Sequence, residues 1–243
     1  MSKNDAQNKS PDNDTDTNPK THKTIKSFVL RQGRVTRAQQ YALDNHWQAY
    51  GIDYSEQPLS LETLFNNHNE TIVEIGFGNG ESLLQQAKNQ PEFNFIGIEV
   101  HGPGVGRLLH HAHNDAVHNI KVIRHDAVDV FKHQLINNTL RQVQLFFPDP
   151  WHKKRHHKRR IIKSDFITLI HNRLKPDGFF HMATDWQHYA NQMLTQMDTA
   201  EGFKNTSGAG NFSKTKAARC ETKFERRGLK LGHGVWDLIY KKQ

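Results

Sequence analysis

The stretch TIVEIGFGNGESLL, residues 71–84, carries the reading of the fold. Thr71 to Ile75 is a short run rich in β-branched residues, and it ends in glycines at 76, 78 and 80. A run of this length closed by turn residues reads as a buried strand, and a helix from about Glu81 follows. Working outward, NFIGIEV (94–100) predicts a second strand, and Val105, Leu108, Leu109, Ala112 and Ala116 fall on one face of a helix. IKVIRHD (120–126) and VQLFFPD (143–149) predict strands three and four. Ile162, Phe166, Leu169, Ile170 and Leu174 mark another amphipathic helix, ended by Lys175-Pro176-Asp177-Gly178. GFFHMATD (178–185) predicts a fifth strand, then a helix over 188–199 and strand-like stretches near 203–206 and 235–240. Strands alternating with helices imply an α/β fold with a mostly parallel sheet covered on both faces. Ligands in such sheets bind outside the carboxyl ends of the strands.

The whole chain sets bounds on this unit. Its 243 residues suit one domain with extra elements as well as two small ones. Residues 1–24 contain only Met1 and Ala6 as apolar residues, too few to offset the entropy of ordering, so a disordered polar tail is expected there and a folded domain over 25–243. No run of 18 apolar residues exists and no apolar signal core is seen, so neither a membrane nor secretion is expected. The single cysteine, Cys220, excludes an internal disulfide and a Cys-rich zinc module, and the cytoplasm is the expected compartment. Lys+Arg 33 against Asp+Glu 25 gives a net charge of +8, which points to a polyanionic partner, most often nucleic acid.

The glycines at 76, 78 and 80 follow G-x-G-x-G, so the dinucleotide fingerprint G-x-G-x-x-G fails, and no P-loop motif occurs. They still let a ligand approach the backbone. Glu74 lies in the first strand, Glu99 ends the second and Asp126 the third. A carboxylate at the end of the second strand can accept hydrogen bonds from both ribose hydroxyls, and Asp126 falls where an adenine edge would lie. Three carboxylates around one pocket suit a cationic ligand that carries a ribose. S-adenosylmethionine fits that better than an anionic dinucleotide.

The fourth strand runs into Phe146-Phe147-Pro148-Asp149-Pro150-Trp151, where two prolines fix their own φ and bias the residues before them. The next nine residues, His152 to Arg160, hold six Lys or Arg, three histidines and no acid. Placed at the start of a helix, Arg159, Arg160 and Lys163 oppose its macrodipole, which makes sense if an external phosphate neutralises them. Histidines 110, 111, 113, 118 and 125 lack a H-E-x-x-H pattern or a Cys partner, so no metal site is expected.

These segments resemble the bacterial tRNA (guanine-N7-)-methyltransferase family over residues 25–243. The likeness rests on VEIGFGNGESL (73–83), FIGIEVHGPGVGRLL (95–109), LFFPDPWHKKRHHKRR (145–160), ATDWQHYA (183–190) and TKFERRGLKLGHGVWDL (222–238). SFVLRQGRVTRAQ (27–39) is similar to that family's N-terminal basic motif. The resemblance implies a Rossmann-like class I methyltransferase fold, three-layer αβα, with a seven-stranded sheet whose last strand is antiparallel. It implies S-adenosylmethionine as donor and the guanine at position 46 of the tRNA variable loop as acceptor. Glu74, Gly76, Gly78, Glu99, Asp126 and Asp149 are then expected at the donor site, with Asp149 as the catalytic residue. Lys153, Asp185, Thr222, Lys223, Phe224 and Glu225 are expected to contact the substrate. Arg155, His156, His157, Lys158, Arg159 and Arg160 form the expected tRNA-facing stretch, in a monomer or homodimer. Two alternatives stay open on the residues alone: a small-molecule methyltransferase whose basicity is incidental, and an RNA-binding protein that keeps the fold without activity.

Overall fold

The computed structural model describes residues 25–29, 33–215, 225 and 234–243. Thr222, Lys223, Phe224 and the stretch 1–24 lie outside the described residues. Chain order is α1 (Arg37–Tyr50), β1 (Gly51–Ile52), α2 (Leu61–Phe65), β2 (Thr71–Ile75), α3 (Glu81–Asn89), β3 (Asn94–Ile98), α4 (Gly102–Asn114), β4 (Ile120–Ile123) and α5 (Ala127–His133). It continues with β5 (Leu140–Phe146), a 3-10 turn (Lys154–Arg159), α6 (Ser164–Arg173), β6 (Leu174–Thr184), α7 (Gln187–Asp198), β7 (Phe203–Asn205) and β8 (Trp236–Lys242).

Among the described residues the strands form one sheet in the order β1-β4-β3-β2-β5-β6-β8-β7. Only β8 runs antiparallel to its neighbours β6 and β7. The seven expected strands are therefore joined by an eighth, the two-residue β1, parallel to β4 at one edge. The order reverses between β3-β2 and β2-β5, which opens a crevice above the carboxyl ends of β2, β3, β4 and β5.

Period-two alternation splits the core between the two faces. Val73, Ile75, Ile96, Ile98 and Ile123 pack with α5, α6 and α7, whereas Ile72, Phe95, Ile120 and Val122 pack with α1, α3 and α4. Close packing between α4 and the glycine turn depends on Gly104, because a Cβ there would sit 2.0 Å from the Gly78 carbonyl oxygen.

Two helix ends differ from the sequence reading. Helix α4 stops at Asn114, and Ala116 is exposed at φ 50°. Val117 N–H then donates to Ala112 O and Ala116 N–H to His113 O, the reverse turn that closes many helices. Val117 takes the core place expected for Ala116. Helix α6 stops at Arg173, and Leu174 already pairs with Leu140 in the sheet. The register then jumps to Gln142↔Phe179, so Lys175–Gly178 bulges out of β6 rather than ending the helix.

Candidate active site

The crevice holds a cavity of about 250 Å³ lined by Gly76 and Gly78, by Glu99, Asp126 and Asp149, and by an apolar floor that includes Ile75, Ile98, Ala127 and Leu145. Gly76 and Gly78 have φ of 72° and 59°, and a Cβ on either would meet nothing within 4 Å. Backbone conformation, not crowding, selects glycine at Gly78, and open space lies beside it.

Glu99 is oriented entirely by main chain. One carboxylate oxygen accepts Gly78 N–H at 2.9 Å, and the other accepts Val100 N–H at 2.7 Å and His101 N–H at 3.0 Å. A carboxylate offers about four acceptor positions, so capacity for a ligand hydroxyl remains. Asp126 caps α5 by accepting Val128 N–H at 3.0 Å, and its other oxygen accepts Lys26 Nζ at 2.7 Å. That hydrogen bond to Asp126 is the main cause of a raised Lys26 pKa. His125, beside Asp126 in the lining, stacks on Tyr54 with centroids 3.6 Å apart and planes 4° apart.

Glu74 is not brought into the lining. It is buried, and its register partner Gln144 donates to Gln86 of α3 at 2.8 Å. Register partners in a parallel pair share a face, so Glu74 points to the α3 layer beneath the glycine turn.

The Asp149 end is built differently. Phe147 and Trp151 adopt φ of 51° and 45°, the left-handed region that costs a bulky residue roughly 1–3 kcal/mol. Phe147 N–H donates to Ala183 O at 2.8 Å, and Trp151 Nε1–H to Ser27 O at 3.1 Å. Asp149 itself is exposed and accepts no hydrogen bond among the described residues. Asp185, at the neighbouring end of β6, is half-buried. Glu225 is fully buried.

The basic stretch does not act as one surface. Lys153, Lys154, Arg155 and Lys158 are exposed, and Arg159 lies over the Trp151 ring at 4.9 Å. Partial burial, reinforced by Arg155 and Arg159, lowers the His156 pKa, and burial beside Arg160 lowers that of His157. Arg160 corrects the expectation of an RNA-facing residue, because it is 1% exposed. Its Nε donates to Pro150 O at 2.8 Å, Nη1 donates to Gln192 Oε1, and the guanidinium lies over Tyr189 at 4.7 Å. It ties the Asp149 loop to α7 from inside. Nor does α6 begin at the basic run: Ser164 is its first residue and Lys163 its N-cap.

Sequence reasoning misses Ser27 and Phe28 in the cavity lining and Lys26 as the partner of Asp126. A usable local signal was Thr36-x-x-Gln39, the capping box that starts α1. Nothing near Arg160 signals burial, since the side chains that enclose it, Tyr189 and Gln192 on α7, lie some 30 residues on.

Comparison with known proteins agrees with this architecture. A family model described as a putative methyltransferase matches residues 68–238. The tRNA (guanine-N7-)-methyltransferase of Aeromonas hydrophila subsp. hydrophila is 54% identical over 218 residues, 90% of this chain and 92% of that protein. The protein of the same name from Cronobacter sakazakii is 50% identical over 225 residues, 93% and 94% of the two chains. Among solved structures, the 16S rRNA methyltransferase KamB is similar with a TM-score of 0.57 at 13% identity, over 77% of this chain and 95% of that one. Sheet order and the crevice at the strand ends are those of the class I methyltransferase fold. Within that class, the chain belongs to the tRNA (guanine-N7-)-methyltransferase family.

Proposed function

We propose that the chain transfers the methyl group of S-adenosylmethionine to N7 of the guanine at position 46, in the variable loop of tRNA, in the cytoplasm. The observation that carries this reading is a cavity lined by Glu99, Asp126 and Asp149 whose Asp149 rim continues directly into the exposed cations Lys153, Lys154 and Arg155. A carboxylate-lined cavity suits a cationic donor, and a cationic rim suits a phosphate backbone.

When bound, the donor supplies an electrophilic methyl group on a positively charged sulfur. Glu99, fixed by three N–H groups, would receive the ribose hydroxyls, and Asp126 the adenine amino group. Guanine N7 carries a lone pair and no proton, so the protein needs no general base. Its tasks are to orient the purine, exclude water and stabilise the positive charge that the ring acquires. Asp149 is the group to meet that charge, with Lys153, Asp185 and the Thr222–Glu225 stretch as purine and tRNA contacts.

Unmodified tRNA transcripts that differ only at the variable-loop guanine test this directly. Each is incubated with the protein and methyl-labelled donor, then cleaved chemically at 7-methylguanine. Label and cleavage at that guanine alone are expected. Binding without transfer would favour an RNA-binding protein, and transfer to small acceptors only would favour a small-molecule enzyme.

A further inference from the structure

All four tryptophans are described; Trp47, Trp151 and Trp236 are half-buried, and only Trp186 is exposed, at 37%. Trp47 and Trp151 spend their indole N–H on Asp53 and Ser27, whereas that of Trp186 has no acceptor among the described residues. Trp186 directly follows Asp185 where β6 leaves the sheet. Phe146 pairs with Ala183, and Phe147 N–H donates to Ala183 O, so the Asp149 loop and Trp186 leave the sheet at the same end, from the neighbouring strands β5 and β6.

Beside Trp186 at this end lies His152, the first residue of the basic stretch. Its exposed ring meets the indole edge-to-face, with centroids 4.2 Å apart and planes at 74°. Such a contact props the indole and leaves a face of it open. Exposed Lys153, Lys154 and Arg155 follow immediately. A planar apolar surface with cations along its border has the chemistry of a single-stranded nucleic-acid site, where bases stack and phosphates pair with the border.

We infer that Trp186, propped by His152, is a stacking platform for an unpaired nucleobase of the RNA substrate, next to the site where the acceptor guanine is held. The inference rests on the tRNA reading above and extends it to a specific contact that a phosphate-only interface would lack.

The test compares wild type, Trp186→Ala and Trp186→Phe for equilibrium binding of an unmodified tRNA transcript over a range of salt, with donor affinity measured in parallel. Trp186→Ala should weaken tRNA binding about 10- to 100-fold, as expected for one lost base stack. Trp186→Phe should keep most of the affinity. The slope of log affinity against log salt should match wild type in both variants, because no phosphate contact is removed. Unchanged tRNA affinity in Trp186→Ala overturns the platform. So does a parallel loss of donor affinity, or equal loss in the phenylalanine variant, since either assigns the indole to packing. Failure of the wild type to bind tRNA would instead overturn the reading beneath it.

Discussion

At the Glu99–Asp126 end of the cavity each carboxylate oxygen is already held, by Gly78, Val100 and His101 N–H on Glu99 and by Val128 N–H and Lys26 on Asp126. At the Asp149 end the carboxylate is exposed, and its loop is held by strained backbone at Phe147 and Trp151 and by the Arg160 clamp. Apart from Lys26, which reaches Asp126 from 100 residues away, the first end is set by main-chain geometry that follows directly from β2, β3 and β4. The second depends on contacts distant in sequence. A donor of fixed shape is served by a preorganised cradle. An acceptor presented by a large RNA is served by a loop whose position is imposed from behind while its working face stays open.

Breaking the cradle should have the largest effect. Glu99→Ala removes the acceptor of three N–H groups and should lower donor affinity about 100-fold, about 2.7 kcal/mol, by calorimetry. Breaking the clamp should separate the two ends. Arg160→Met should lower the melting temperature by roughly 4–8 °C, about 2 kcal/mol, and cut the methyl-transfer rate about 10-fold while donor affinity stays near wild type. Equal losses in rate and donor affinity would show that the two ends are not separate.

The strained loop gives a sharper, smaller contrast. Phe147→Gly and Phe147→Ala lose the same ring, yet at φ 51° glycine should be about 0.5–1 kcal/mol more stable in denaturant titration. Smaller still is the pH effect. The His156 and His157 pKa values are lowered in the folded protein, so the unfolded chain takes up protons first as pH falls through about 6.5. Free-protein stability should therefore fall modestly between pH 7 and 5.5. Bound phosphate opposes that shift, so tRNA affinity should rise over the same interval. Last, Arg155→Ala should reduce the salt slope of tRNA binding by about 0.7–0.9 and leave donor affinity unchanged.

What could be read in the sequence follows the same division. Strand β2, its glycine turn and the carboxylates just beyond β3 and β4 announce themselves within a few residues, and the structure brings Glu99 and Asp126 to one cavity. Helix α1 is hard to read in the sequence because its apolar face is thin, with Ala42 and Tyr50 its only buried residues. Glu74, absent from the cavity lining, shows what strand-end reasoning leaves out: alternation along β2 puts it on the face that Gln144 shares with α3. Arg160 shows the limit of composition. Within a run of cations its neighbours look equivalent, but Gln192 and Tyr189 on α7 draw this one inside.

The most direct measurement is Asp149→Asn, followed by single-turnover methyl transfer to a tRNA transcript and by donor binding at equilibrium. The account predicts a rate reduced about 10²–10³-fold with donor affinity within a few-fold of wild type, because the lost charge acts on the acceptor purine. A rate near that of wild type, or a donor affinity that falls in step with the rate, would contradict it.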